Sequence, residues 1–392
     1  MLAPVVIVAA TSARMLAESA RRGGLRPVAL DIFGDVDTRR AAHWIGIGNQ
    51  GGSRIDSQRM HQAMTRLARH PQVRGWIAGG GFEDRLELLQ DCARTLTLIG
   101  NEPAAIAAAK QPTEFFGILD RHGIAHPSTR LAPPEAPAGW LVKRVGGTGG
   151  WHVRRLAEVA PANPRQPRRA RRSPALYYQR EEPGQPMSAL FLADGRQARL
   201  VGYNLLLTGG AGERPFVFHG ALGPVEVPPT AAQVVQLAIG ILARQLELKG
   251  LNSLDFLLDG DHVSVIELNP RPSATMELHD HRLPGGLLKA HLAACSQRLL
   301  PPGLPTVPVP PAEVRGGQVI YARRRLTMTR RAGQRLQALG WCHDIGREGT
   351  RSGRGDPLCS ISARAESPTA VLALLAHRAS EVERIHGEED ER

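Results

Sequence analysis

Two short apolar runs on either side of an Asp-Gly turn constrain this chain most. Asn252-Ser-Leu-Asp-Phe-Leu-Leu258 leads into Asp259-Gly260, and Val263-Ser-Val-Ile-Glu-Leu-Asn269 leads out of it. Strand-forming residues flanking Asp-Gly specify an antiparallel hairpin. If the loop spans Gly260 to His262, Leu257 faces Val265 and Asp255 faces Glu267. Cross-strand partners share a face of the sheet, so Asp255, Glu267 and Asn269 then converge. A two-residue loop slips the pairing by one and sends Asp255 to the opposite face. Pro270 ends the ladder because it has no N–H to donate, and Arg271 leaves the strand end as a cation between Pro270 and Pro272. Two adjacent carboxylates repel, and a divalent cation relieves that repulsion. Oxygen donors of this kind suit magnesium, which commonly arrives with phosphate oxygens. Taken alone, Glu267-x-Asn269 also reads as a strand that simply ends in a polar turn.

The chain upstream adds cations and glycines. Glu102 to His122 has a helical pattern that contains Lys110; a lone helix lysine is ordinarily a solvated side chain. Trp140-Leu-Val-Lys143 is a short strand, followed by Arg144-Val-Gly-Gly-Thr-Gly-Gly150. A strand lysine before such a loop suits phosphate, because glycines free backbone N–H groups and the lysine adds charge. A flexible hairpin tip is the alternative. Leu176 to Gln179 is a strand running into Arg180-Glu-Glu-Pro-Gly184. The chain has only four lysines, Lys110, Lys143, Lys249 and Lys289. Arginine is otherwise preferred, so each lysine carries more information, being a compact point charge that an arginine fork does not copy.

Elsewhere the pattern is α/β at first and mixed later. Pro4 to Ala10, Arg26 to Ile32, Val73 to Ala78 and Leu96 to Ile99 read as strands. Helices follow Thr11-Ser12 and span Gln58 to Arg69 and Glu83 to Ala93. Gly79-Gly80-Gly81 at a strand end is either a tight turn or a place where a ligand nears the backbone. Met187 to Ala193, Ala198 to Thr208 and Phe216 to His219 are strands with glycine-containing turns, as in an antiparallel sheet. Thr230 to Leu248 and Leu283 to Leu300 are helical. Pro161 to Pro174, with five arginines, reads as a mobile basic loop, and Pro301 to Pro311, with six prolines, as a semi-rigid linker. The remainder is a small α+β module without a catalytic constellation.

A formal charge of +12 raises the question of nucleic acid. Aromatic residues are only 4% of the chain and the charge is dispersed, which argues against that partner. No apolar run reaches the length of a membrane span. The first residues read as a strand and not a secretion signal, and four scattered cysteines fit a reducing cytoplasm.

Lys110, Lys143 with its glycine-rich loop, Gln179 to Gly184, Asp255 and Glu267-x-Asn269-Pro-Arg271 together resemble the ATP-grasp superfamily over residues 101–300. Ala29 to Asp35 and Gly81-Phe-Glu83 resemble its predicted ATP-dependent carboligase group. Gly316 onward, with Asp344-Ile345 and Asp356-Pro-Leu-Cys359, is similar to that group's C-terminal module and distantly to biotin carboxylase. The resemblance implies an α/β and α+β multidomain chain. A Rossmann-like α/β domain (1–100) precedes an ATP-grasp fold (101–300), then the proline-rich linker (301–312) and the α+β module (313–392). It implies ATP with Mg²⁺ (or Mn²⁺) as cofactors. Lys110 and Lys143 would contact phosphates under a loop of Gly146, Gly147, Gly149 and Gly150. Gln179, Glu181 and Glu182 would lie beside the adenine. Asp255, Glu267 and Asn269 would hold metal, and Arg271, with Lys143 and Glu267, would serve catalysis. Arg144 stands where many relatives have proline, and Pro186 near where some place a ribose-binding glutamate.

The implied activity is an ADP-forming ligase that joins a small-molecule carboxylate to an amine; some relatives do so in making C1-carrier cofactors. A biotin-carboxylase-like ligase using bicarbonate and an ATP-grasp phosphotransferase are the alternatives within the fold. A nucleotide sensor and a nucleic-acid binder are those outside catalysis. A homo-oligomer stays open.

Overall fold

A computed structural model describes residues 3–49, 54–159, 175–212, 214–302 and 313–390. The arginine-rich stretch and nearly all of the proline-rich one lie outside them.

The chain begins with a four-stranded parallel sheet ordered His43–Gly46, Arg26–Asp31, Val5–Ala9, Val73–Ala78. Val5–Ala9 is central and reads as one apolar run because both its faces are covered. Val6 and Val8 enter one core, Ile7 and Ala9 the other. The strand expected at Leu96 to Ile99 is only a single bridge, Trp76 to Leu98. The helix Arg14–Arg22 starts without a Thr11 or Ser12 side-chain cap. Asp31 Oδ2 instead accepts from the Ala13 N–H at 3.2 Å.

An eight-stranded sheet forms the middle of the molecule. Its order is His262–Asn269, Lys249–Asp259, Gln185–Asp194, Ala198–Ala211, Arg214–Val225, Val314–Tyr321, Pro357–Ala365, Cys342–His343. The C-terminal strands therefore extend the sheet that carries the hairpin, through Leu222 paired with Gly316. Helix Pro229–Gln245 covers one face with Val235, Ile239 and Leu242. A smaller sheet holds Trp140–Arg144 between Leu176–Arg180 and Arg154–Arg155.

The single helix expected over Glu102 to His122 is two, Pro103–Lys110 and Pro112–Arg121. Pro112 cannot donate into the first helix, and it pushes Gln111 to an extended conformation (φ −87°, ψ 115°). The break makes Lys110 a helix-terminal residue. No helix among the described residues is long and apolar enough to cross a membrane.

Candidate active site

The hairpin expected from Asp259-Gly260 forms, with a shorter loop and an added bulge. Asp259 pairs with His262, so the turn is two residues, Gly260 and Asp261. By itself that register would set Asp255 against Ile266. Phe256 pairs with Val265 and Asp255 with Glu267, so Ile266 is one extra residue in its strand. The bulge restores the pairing that a three-residue loop would have given.

Asn101 anchors the hairpin's end. Its amide donates to Asn252 Oδ1 at 2.7 Å and to the Pro270 carbonyl at 2.9 Å. From there the polar groups are linked in sequence. Asn269 Nδ2 donates to Asp255 Oδ2 at 2.9 Å. Lys110 Nζ donates to Glu267 Oε1 at 2.5 Å and to Asn269 Oδ1 at 3.1 Å. Arg271 Nη2 reaches Asn269 Oδ1 at 3.4 Å, and Arg271 Nε donates to Glu83. Lys110, Asp255, Glu267, Asn269 and Arg271 thus form one connected cluster, with Glu83 supplied from the end of the parallel sheet.

Burial raises Asp255, and the neighbouring Glu267 charge adds to it, bringing the carboxyl to about 7. Burial also acts to raise Glu267, but Lys110 outweighs it and keeps this carboxyl below its ordinary range. Glu83 likewise stays low, because Arg271 and Lys110 outweigh burial. Lys110 meets one carboxylate oxygen and the Asn269 amide oxygen, and the Asp255 carboxyl lies beside them, a hard-donor oxygen set suited to a divalent cation. Among the described residues no group of three or more His, Cys, Asp or Glu could hold a metal ion; the third donor of this set is an amide.

Lys143 lies on the small sheet and donates to Gln179 Oε1 at 2.5 Å. Burial lowers its ammonium to about 8, with Glu267 opposing the shift. Among the described residues the hydrogen-bond partner of this cation is the neutral Gln179 amide. Gln179 also donates to Thr129 Oγ1 at 3.1 Å. Neither Glu181 nor Glu182 bonds to the hairpin's carboxylates. Glu181 pairs with Arg155 at 2.9 Å, and Glu182 accepts from Ser264 Oγ at 2.6 Å.

The glycine-rich loop after Lys143 is held on two sides. Gly146 has φ +73°, and a Cβ there would lie 2.7 Å from the Glu83 carbonyl oxygen. Gly150, also at φ +73°, has the Phe216 carbonyl where a Cβ would go. Gly149 shares the left-handed conformation at φ +63°, and Gly147 lies against the His152 ring. A narrow cleft brings Gly146 and Gly147 to Lys110, Glu267 and Tyr177. His152 and Tyr177 also belong to this site, through Gly147 and the cleft respectively. Burial lowers His152 to about 4 and raises Tyr177, so both rings are neutral. No motif marks either residue.

Arg271 also opens onto a cavity of ≈ 690 Å³. One wall is Thr11, Ser12, Arg14 to Leu16 and Gly79-Gly80; another is the C-terminal extension of the large sheet. Buried Arg14 joins the walls, at 2.8 Å from Glu277 and 2.9 Å from Asp344. The C-terminal stretch, read as lacking a constellation, thus contributes Asp344 to this ion cluster.

Residues 110–275 match the ATP-grasp domain family. That interval starts at Lys110 and takes in Lys143, the glycine-rich loop, Asp255, Glu267, Asn269 and Arg271. Residues 110–275 are an ATP-grasp domain. Solved structures extend the likeness beyond it. An L-amino acid ligase from Bacillus licheniformis is 13% identical, with a TM-score of 0.68 and 98% of each chain covered. A biotin carboxylase from Campylobacter jejuni is 11% identical, with a TM-score of 0.67 over 94% of this chain and 89% of that one. An N5-carboxyaminoimidazole synthase from Aspergillus clavatus, solved with ADP and 5-aminoimidazole ribonucleotide, is 14% identical, with a TM-score of 0.67 over 98% and 99%. Among curated proteins none matches. At these identities the likeness is one of fold. The ATP-grasp domain therefore sits in a chain whose parallel sheet and C-terminal strands also have counterparts in those structures.

Proposed function

We propose that this protein is an ADP-forming, magnesium-dependent ligase that activates a carboxylate with ATP and joins it to an amine. The observation that carries the reading is the cluster itself. Asp255 and Glu267 are paired across a bulged hairpin, with Lys110 on Glu267, Lys143 nearby on the neutral Gln179 amide, and Arg271 opening onto the large cavity.

The roles follow from charge and position. Lys110 and Lys143 neutralise phosphate oxygens, and Gly146, Gly147, Gly149 and Gly150 offer N–H groups over them. Gln179, Glu181 and Glu182 border the adenine. Asp255, Glu267 and Asn269 would hold Mg²⁺ (or Mn²⁺), which supplies charge neutralisation on the transferring phosphoryl group. A substrate carboxylate oxygen attacks the γ-phosphorus, and the bond to the ADP oxygen breaks. The amine then attacks the acyl carbon, its proton leaves, and inorganic phosphate departs. Arg271, held by Glu83, faces the cavity where the acyl phosphate would be exposed to the amine. Catalysis of this kind is mainly positioning and electrostatics.

One second reading has specific support. Two of the similar structures above are a biotin carboxylase and a carboxyaminoimidazole synthase, which favours bicarbonate as the activated acid. A screen of amino acids and amines for ADP release, with and without bicarbonate and followed by product mass, separates the two. ADP release that needs an organic acid and an amine supports amide ligation. Release that needs bicarbonate supports carboxylation.

A further inference from the structure

The large cavity carries charge that the ligation chemistry does not use. Its floor is one face of the eight-stranded sheet, where Ala221 pairs with Gly317 and Gly317 with Ser362. A Cβ on Gly317 would meet nothing within 4 Å, whereas one on Gly316 would strike Val371, Leu222 and Leu375. The Gly317 side is therefore the open one. Strand alternation puts Arg315 and Arg364 on that side. They are directly opposed in register, and like charges directly opposite destabilise a sheet.

Most other charges on the lining are accounted for, and Arg378 donates to the Ser362 carbonyl and lies over the Trp341 ring. Glu277 and Asp344 are both held by Arg14, and Arg271 is held by Glu83. Among the described residues Arg315 pairs only with Glu313, at 2.9 Å, and both side chains are partly exposed. Among the described residues Arg364 has no acidic partner, and both arginines line the cavity. The surplus is positive, and it sits one row along the sheet from the open floor.

We propose that the acceptor substrate carries an anionic group, a carboxylate or phosphate monoester, which seats between Arg315 and Arg364. Its body lies over Ala221, Gly317 and Ser362, with its nucleophile toward Arg271. This rests on the ligase reading and names the class of the second substrate. Guanidinium forks suit such groups because they donate two parallel hydrogen bonds. No bond is made or broken at this subsite.

The test uses the full chain saturated with Mg²⁺ and AMP-PNP, so that the nucleotide's phosphate positions are filled. Inorganic phosphate and succinate are titrated by calorimetry, at constant ionic strength, into wild type, Arg315→Ala, Arg364→Ala and Arg364→Lys. Saturable binding of at least one anion is expected, weakened roughly tenfold or more by either alanine and partly restored by lysine. The bound anion should also raise the Tm of wild type but not of Arg364→Ala, because it relieves the opposed pair. Which anion binds distinguishes carboxylate from phosphate. Equal binding by wild type and the alanine variants, or no saturable binding of either anion, overturns the proposal. AMP-PNP binding is measured first. Its failure would count against the ligase reading, and the anion titration of the nucleotide-free protein would then judge the subsite separately.

Discussion

Lys110 Nζ lies 2.5 Å from Glu267 Oε1 and 3.1 Å from Asn269 Oδ1, so one buried ammonium bridges two oxygens of the hairpin. The site's charge balance is organised around this contact. Glu267→Gln keeps the shape and removes the charge. ADP formation should fall by on the order of 10² to 10³ or more, since one well-placed electrostatic group contributes that much and metal affinity falls too. Steady-state ADP release at saturating MgATP is the measurement. Activity within tenfold of wild type would remove Glu267 from its assigned role.

Asp255 illustrates a site that costs stability. Burial pushes its folded carboxyl up to about 7 from the ordinary 3.8. Between those values the folded chain holds a proton that the unfolded chain has released, so this group makes stability fall as pH rises through that window. Asp255→Asn at pH 8 without metal should therefore raise stability, on the order of 1 to 3 kcal/mol. The same change should abolish the Mg²⁺-dependent rise in Tm and the turnover. Thermal melts with and without Mg²⁺ check both halves; a destabilised variant contradicts the account.

The pH dependence of nucleotide binding follows from Asp255 and Lys143 together. Below about 7 Asp255 takes up a proton that metal must displace. Above about 8 the free protein loses the Lys143 charge. MgATP affinity should peak between these values, with proton release on the acid side and uptake on the alkaline side. Calorimetry in buffers of different ionisation enthalpy reads the protons. Lys143→Met should flatten the alkaline limb alone. The stability effect of Lys143 has the other sign: its lowered pKa makes stability rise with pH from about 8 toward 10.5.

Arg14 is a separate case, a buried cation that ties together carboxylates on the cavity wall. It touches Glu18 at 3.1 Å as well as Glu277 and Asp344. Arg14→Ala leaves a cluster of carboxylates without their cation, and should cost about 3–5 kcal/mol in denaturant unfolding, the usual cost of breaking a buried ion pair. A loss under 1 kcal/mol would mean that solvent already compensates the cluster.

The sequence made much of the fold and cluster legible, through local signals. Strands such as Val73 to Ala78 follow from apolar runs with turn residues at their ends, and Asp255 with Glu267 from a hairpin turn. Other features depend on contacts that a local pattern does not encode. The Ile266 bulge is one extra residue, invisible without the register. The break before Pro112 was overridden by a continuous helical periodicity, although proline chemistry predicts it. Glu83 stands out beside its glycines, but its partner Arg271 lies 188 residues further along the chain. Arg315 and Arg364 were two arginines among many until the sheet set them opposite each other.

The central claim is that a carboxylate is activated by phosphorylation, and oxygen transfer tests it most directly. A mixture of amino acids labelled with ¹⁸O in their carboxyl groups is incubated with the protein, MgATP and a panel of amines. The phosphate released and the product are read by mass spectrometry. The account predicts ADP, one ¹⁸O in each inorganic phosphate, and an amide that has lost one ¹⁸O. ADP formation with unlabelled phosphate, or a stable phosphorylated product in place of an amide, would contradict it.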